Sequence, residues 1–407
     1  MYFKREIEDS VLDYLATDEI LVVIGARQSG KTTLLRKIQE ILDEKGDISF
    51  FVNLENPKYL SKLDEDYENL FEIIGNRGNQ RAFVFIDEVQ YLKAPSNFLK
   101  YIFDEYKGKI KLIVSGSSAF YIDQKFKDSL AGRKRLFELN LLNFREFLCF
   151  KGFEDIRHLF IRSDKVFQER NISLVDINQV KHLLGEFIKF GAYPGVVLEK
   201  TENGKKNLLE ELFNSYLARD VEVEGVRNKT KFYTLTRIIA EQVGSLFNSS
   251  ELANTLGISV TAIENYIYIL EKSFQIKRIR PFYKNIRKEL TKMPKIYFLD
   301  TGIRNVVLDD YGSLENRIDR GPYFENFVFK LLHDKRSVKT INFWRTQEKH
   351  EIDFIVNRKI AIETKFNARS FQKSKYSQFT NNYKDIPLIL LSYEDKDNGH
   401  PSILDLI

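Results

Sequence analysis

Between Gly25 and Thr32 the chain reads Gly-Ala-Arg-Gln-Ser-Gly-Lys-Thr, a full match to the pattern GxxxxGK[ST]. Few stretches of this length leave a chain so little choice of fold. Its glycines allow successive backbone N–H groups to converge on one point, so the segment has to follow a strand and open a helix. Both flanks agree. Ile20-Leu-Val-Val-Ile24 is a short apolar run suited to a buried parallel strand, and Thr32 to Leu42 carries helical periodicity.

A strand–loop–helix of this kind gathers the N–H groups of Gly25, Ala26, Arg27, Gln28, Ser29, Gly30 and Lys31 at the positive end of a helix dipole, where an anion is favoured. The anion expected is the phosphate chain of ATP. Lys31 would reach the β- and γ-phosphates, the Thr32 hydroxyl would ligate Mg²⁺, and Thr33 completes the set. Further along, Phe83-Val-Phe-Ile-Asp-Glu88 ends an apolar run in two carboxylates. Asp87 is expected to hold Mg²⁺ and Glu88 to polarise the attacking water.

Short apolar runs alternate with helical patterns at Ile20–Ile24, Ile48–Leu54, Ala82–Asp87, Ile110–Ser115 and Leu136–Leu139, as a doubly wound α/β sheet requires. In such a sheet the strand C-termini line the ligand crevice. Ser117 or Ser118, after the fourth run, is therefore placed either to contact the γ-phosphate or its water, or to cap a helix. Ala131-Gly-Arg-Lys-Arg-Leu-Phe137 leads into the fifth run. Arg133, with Arg135 in reserve, is the candidate finger for a transferring phosphoryl group in cis or in trans; a solvated basic turn is the rival reading.

These segments carry a resemblance. Gly25–Thr33, Phe85–Gln90, Ser115–Ser118, Gly132-Arg133, Asn143-Phe-Arg-Glu-Phe-Leu148, Gly191-Ala-Tyr-Pro-Gly195 and Tyr216-Leu-Ala-Arg-Asp220 resemble the prokaryotic AAA-like P-loop ATPases, related to signal-transducing and replication-initiator ATPases, that carry a nuclease-like C-terminal domain of unassigned role. The resemblance implies that a helical lid follows the ATPase core. Val175–Asp220 is mostly helical in pattern, with a turn at Gly191–Gly195. By the same analogy Arg219 could sense nucleotide, but a helix-surface salt bridge is the safer reading.

Ser249 to Leu270 reads as two helices around a tight turn, with Ser249 or Ser250 and Ser259 as N-caps and Gly257 as the closing residue. Leu252, Leu256, Ile263, Ile267 and Leu270 have core spacing. Strand-like runs at Phe274–Arg280 and Lys295–Leu299 follow, which makes a helix-turn-helix with a wing. Residues 277–295 hold eight Lys or Arg and one Glu, out of a whole-chain net charge of +5. DNA contact through this wing, with Arg287, Lys288 and Lys292 on phosphate and Thr261, Glu264, Asn265 and Tyr268 on the exposed helix face, is one expectation. A structural or protein-binding role is the other.

The last segment opens with a helical pattern around Phe324-Glu-Asn-Phe327. Strand-like Phe343–Thr346, His350–Val356 and Ala361–Lys365 follow. Alternation puts Glu363 and Lys365 on one face of a strand, and Asp353 can converge with them at one end of a hairpin. Two carboxylates and a lysine are what Mg²⁺-dependent phosphodiester hydrolysis needs. Asp353, Glu363 and Lys365 match, residue by residue, the PD-(D/E)xK nuclease core that this segment resembles, with Ile352 where proline is usual. Glu325 could complete the metal site. An inactive module used for binding and plain surface charges on a sheet are the alternatives.

The expected fold is thus α/β: a P-loop doubly wound parallel sheet with a helical lid, a winged-helix domain and a C-terminal α/β restriction-endonuclease-like domain. The segments are 1–170 for the ATPase core, 171–228 for the lid, 229–312 for the winged helix and 313–407 for the nuclease-like domain. The single cysteine, Cys149, excludes an internal disulfide, and the charged first residues are unlike a signal peptide. A cytoplasmic protein that binds ATP and Mg²⁺, touches DNA and no membrane, and can form a homo-oligomer is the resulting expectation.

Overall fold

The computed structural model describes residues 2–75, 80–116, 130–160, 165–169, 172–223, 226, 228–283, 289, 292–335, 337–393 and 401–407. They form two compact units, 1–141 with 272–274 and 142–271 with 275–407. The first break thus falls at Leu141, ahead of the expected boundary at 170, and the segments expected as lid, winged helix and nuclease-like domain lie, apart from 272–274, in the second unit.

The first unit is built on a five-stranded sheet: β1 (Ile20–Ile24), β2 (Ile48–Asn53), β3 (Ala82–Asp87), β4 (Ile110–Gly116) and β5 (Lys134–Glu138). Its order is β2-β3-β4-β1-β5, and every pair is parallel. A parallel sheet is covered on both faces, so its strands are apolar throughout rather than alternating; all five residues of β1 are buried. One face, through Leu21, Val23, Phe83, Phe85, Ile113 and Phe137, packs on Leu34, Leu35, Ile38 and Leu42 of helix α1 (Lys31–Glu44). The other, through Val22, Ile24, Val84, Ile86, Leu112 and Val114, packs on Phe98, Leu99 and Ile102 of helix α2 (Pro95–Glu105). Each such side chain contributes about 1.5–3 kcal/mol on burial, enough in sum to fix β1 and α1 and hence the loop between them. The doubly wound sheet is as the sequence leads one to expect. β5 is shifted: it runs Lys134–Glu138 rather than Leu136–Leu139, and Leu136 is 51% exposed.

The second unit begins with α3 (Phe144–Phe150), whose Asn143–Glu146 capping box accounts for the Asn143-Phe-Arg-Glu segment. Helices α4 (Leu174–Phe190) and α5 (Glu202–Val223) flank the turn at Gly191. That turn is shaped by Asp300. Gly191 has φ 74°, a Cβ there would lie 2.2 Å from Asp300 Oδ1, and the Ala192 N–H donates to Asp300 Oδ2 at 2.7 Å.

Helices α6 (Lys229–Glu241), α7 (Ser249–Leu256) and α8 (Val260–Lys272) follow. Gly257 closes α7 in the left-handed region and the Ser259 hydroxyl accepts from the Ala262 N–H, as expected. The cap of α7 is a correction: Asn248 accepts from the N–H groups of Ser250 and Glu251, in place of Ser249 or Ser250. All five expected core residues of the pair, Leu252, Leu256, Ile263, Ile267 and Leu270, are buried.

Strands β6 (Ile276–Pro281) and β7 (Lys295–Phe298) form an antiparallel hairpin. After α9 (Thr301–Leu308) and α10 (Arg320–Asp334) come β8 (Ile341–Arg345), β9 (Glu351–Val356), β10 (Ile360–Lys365), α11 (Ser377–Asn382) and β11 (Leu388–Ser392). These strands make one six-stranded sheet in the order β11-β10-β9-β8-β6-β7. β8, β9 and β10 meander antiparallel, while β10–β11 and β6–β8 pair in parallel. The hairpin expected as a wing is therefore part of the same sheet as the strands of the last segment.

Candidate functional site

The loop between β1 and α1 is held open from two sides. A Cβ on Gly25 would lie 2.3 Å from the Leu139 carbonyl oxygen, so only glycine fits there. Gly30 has φ 99° and Gln28 φ 55°, both left-handed. The Arg5 guanidinium donates to the Ser29 carbonyl at 2.8 Å and to the Asn140 carbonyl at 2.7 Å, which fixes the loop from behind.

Inside the loop, Lys31 Nζ donates to the carbonyls of Gly25 at 3.1 Å and Ala26 at 2.9 Å. The Ser29 hydroxyl is fully buried and makes no hydrogen bond. A buried polar atom without a partner costs about 1–3 kcal/mol, and a loop of convergent donors with one unused is suited to a phosphate. Thr32 Oγ1 donates to Asp87 Oδ2 at 2.7 Å. Ser115, at the end of β4, donates to Asp87 Oδ1 and accepts from the Glu88 N–H at 3.0 Å. Glu88 stands in the left-handed region with φ 59° and accepts from Gln90 Nε2. Hydroxyl and carboxylate oxygens at this spacing are the donor set of a hard divalent cation, so Gly25–Thr33, Asp87 and Glu88 fit Mg-ATP.

The structure narrows one expectation for this unit and leaves another outside the described residues. Arg133 is at the opposite end of the strands. Its carbonyl accepts from the Ile20 N–H, where β1 begins, and about 13 Å of strand at ~3.3 Å per residue separates that end from the loop. The guanidinium is paired with Asp104 at 2.8 Å, and Arg135 with Glu19 at 3.1 Å. Neither reaches the phosphate loop of its own chain, because β5 runs parallel to β1 and enters from the far side. Ser117 and Ser118 lie outside the described residues. Ser115, two positions earlier, is the residue at the site; the cue for it is its place as the first polar residue after Ile113-Val114.

A second cluster lies in the other unit. β9 and β10 pair antiparallel with Ile362 opposite Phe354, which brings Asp353 across from Glu363. Asp353 Oδ2 accepts from the Thr364 N–H at 2.8 Å and its hydroxyl at 2.6 Å. Glu363 Oε1 accepts from Lys365 Nζ at 2.5 Å and Tyr376 at 2.7 Å, while Oε2 is buried without a partner. Burial, and then the neighbouring Asp353, push the Glu363 carboxyl up to about 8. Burial opposes the Lys365 charge, but Glu363 and Asp353 outweigh it and hold the ammonium charged. The sequence-derived trio is thus brought together.

Glu325, on α10, faces the same region but is otherwise engaged. Its Oε1 accepts from Tyr297 at 2.5 Å and Lys295 at 3.1 Å. Burial raises its carboxyl to about 7, with Lys295 opposing and Asp353 adding to the rise. Among the described residues no group of three or more His, Cys, Asp or Glu is arranged to hold a metal ion, and the hydrogen bonds of Glu325 go to Lys295 and Tyr297. Lys295, Tyr297 and Tyr376 are not singled out by the sequence. Trp344 packs edge-on against Phe379 in the core.

The basic stretch is divided. Arg278 pairs with Glu264 and Glu271 at 2.8 and 2.7 Å, and Lys295 is buried. Lys277 and Lys292 are exposed, while Arg287 and Lys288 lie outside the described residues. So does the Arg219 side chain. No helix among the described residues is long and apolar enough to cross a membrane.

Residues 17–148 match the model of an AAA domain, 181–312 that of a domain of unknown function (DUF8612) and 320–400 that of another (DUF4143). An uncharacterised protein of Methanocaldococcus jannaschii is 27% identical over 84% of this chain and 73% of its own length. One from Haemophilus influenzae is 24% identical over 98% and 95%. Among solved structures, Thermotoga maritima RuvB covers 68% of this chain and 90% of its own at 14% identity, with a TM-score of 0.34. AMPPCP-bound DnaA from Aquifex aeolicus covers 66% and 89% at 17% identity, with a TM-score of 0.31; both scores are too low to bear on function. The AAA-domain match, the phosphate loop and the parallel sheet together make the first unit a P-loop, AAA-like ATPase domain.

Proposed function

We propose that the chain hydrolyses ATP and that its nucleotide state controls a DNA-directed second unit, in which a winged helix accompanies a nuclease-like metal site. The observation that carries the ATPase half is the chain of contacts Thr32–Asp87–Ser115–Glu88 beside the phosphate loop, which supports reading Thr32 and Asp87 as a cation-binding pair and Glu88 as a base. Thr32 and Asp87 would hold Mg²⁺, which would supply charge neutralisation at the phosphates. Lys31 orients those phosphates, Asp87 is kept in place by Ser115, and Glu88 accepts the proton of the attacking water.

For the second unit the support is the convergence of Asp353, Glu363 and Lys365 at the ends of β9 and β10. In the nuclease reading, Asp353 and Glu363 hold a hard cation through oxygen, and Lys365 stabilises charge on the attacked phosphate. α7, α8 and the β6–β7 hairpin supply the winged-helix element, with Lys277 and Lys292 available for phosphate.

A second reading is favoured by one observation. Arg278 and Lys295 are turned inward and neutralised, which thins the basic surface that DNA would need. On that reading the protein is an ATP-dependent signalling or protein-remodelling switch whose last segment binds a protein.

Incubation of the protein with plasmid and linear DNA in Mg²⁺ or Mn²⁺, with and without ATP and beside Lys365→Ala, separates the two. Cleavage lost in the variant supports the first. Intact ATP turnover with no cleavage under any nucleotide supports the second.

A further inference from the structure

Lys295 stands where a cation is wanted. Lys295 and Tyr297 are two apart on β7, so their side chains leave the same face, and both are buried. Lys295 Nζ bonds Glu325 Oε1 at 3.1 Å and also Glu351 Oε1. Tyr297 adds a second donor to Glu325 Oε1. Glu351 further accepts from Arg345.

The cluster therefore holds four carboxylates, Glu325, Glu351, Asp353 and Glu363, against the cations Lys295, Arg345 and Lys365. Its two halves are unlike. Glu325 and Glu351 are neutralised by Lys295 and Arg345. Glu363 is bonded to Lys365, Asp353 is attracted by both Lys365 and Lys295, and Glu363 Oε2, in a residue only 4% exposed, has no donor. An ammonium offers three donors and no lone pair, so it can replace a metal ion as a counter-charge but cannot activate water.

We propose that the Lys295 ammonium takes the place of a second divalent cation, so that the site binds one metal ion, on Asp353 and Glu363, and withholds Glu325 from it. The inference rests on the metal-site reading of Asp353 and Glu363. Lys295 is then a positioning residue: it comes from the β6–β7 hairpin, outside the segment that supplies the proposed ligands, and fixes both the number of metal ions and the ligand set.

The test is Mn²⁺ binding by calorimetry on the full chain without nucleotide, in an Asp87→Asn background that removes the metal ligand of the phosphate loop. One Mn²⁺ per chain is expected. Glu363→Gln should weaken it by about 10–100-fold, as loss of a ligand or its support does. Glu325→Gln should leave stoichiometry and affinity unchanged within about threefold, well short of that ligand-loss range. Lys295→Met should admit a second Mn²⁺, or show a larger Mn²⁺-induced rise in Tm than the parent; if it does not fold, Glu325→Gln decides alone. Loss of Mn²⁺ in Glu325→Gln comparable to that in Glu363→Gln makes Glu325 a ligand and overturns the proposal while leaving the metal site standing. Absence of Mn²⁺ binding in the parent overturns the metal-site reading, and the proposal with it.

Discussion

The Thr32 hydroxyl and the Asp87 carboxylate, at the ends of neighbouring segments of the phosphate crevice, are joined by a 2.7 Å hydrogen bond, and Ser115 holds the other Asp87 oxygen. β4 lies between β1 and β3, so the last polar side chain of β4 is the one that can reach both residues of the Asp87-Glu88 pair. Ser115→Ala should lower the kcat of ATP hydrolysis by about 10–100-fold, the usual cost of removing support behind a ligand, and leave nucleotide affinity within a few-fold. Unchanged turnover would remove Ser115 from the site.

Lys31→Ala should abolish binding of a fluorescent ATP analogue, since its buried ammonium is the loop's counter-charge to the β- and γ-phosphates. Glu88→Gln keeps the size and hydrogen bonding of the side chain but not its basicity. It should bind ATP and lose turnover by at least about 10²-fold, the lower bound for losing a general base. Retained steady turnover in this variant would take the base role away from Glu88.

Arg133→Ala separates cis from trans. The Arg133–Asp104 pair is partly exposed and contributes about 0–1 kcal/mol, so the fold should be little affected. Turnover in dilute protein should change by less than about twofold, because the guanidinium lies a full strand away from the loop of its own chain. A loss that grows with protein concentration would show Arg133 acting on a neighbouring copy.

Acid stability should depend on Asp319. Burial alone would raise its carboxyl, but the guanidiniums of Arg317 at 2.7 Å and Arg304 at 2.6 Å overcome this and bring it down to about 2. A carboxyl depressed in the fold adds stability that is complete above its unfolded value of about 3.9 and is lost as pH falls through about 2. The contribution is about 1–2 kcal/mol, with allowance for partial exposure. Asp319→Asn leaves the fully buried Arg304 short of its counter-charge and should cost about 3–5 kcal/mol at neutral pH. Its urea midpoint should also vary less between pH 4 and pH 2 than that of the parent.

The phosphate loop is legible in the sequence because its chemistry is a backbone requirement: glycine where Leu139 or a positive φ leaves no room, and an apolar strand before it. The core of α7 and α8 is legible from spacing alone. The place of Arg133 is not, because its role depends on which end of β5 faces the ligand, and that is a property of the pairing with β1 rather than of the residues around it. Lys295 reads locally as one more charge in a basic run. What turns it inward is the register of a short hairpin, which places it beside Tyr297 under α10, and nothing in the local composition distinguishes it from Lys292. Asn248 is hidden among its serine neighbours because all three are good caps, and the choice is made by one residue of helix phase.

The parallel pairing of Arg280 and Pro281 with Asn342 and Phe343 joins the β6–β7 hairpin to the meander of the last segment. A fragment cut between them would leave the main-chain donors and acceptors of β8 bare along one side, an adhesive edge that invites self-association. The hairpin and the meander are thus a single unit for engineering: a chain that keeps one without the other has an aggregating edge where a folded half should be.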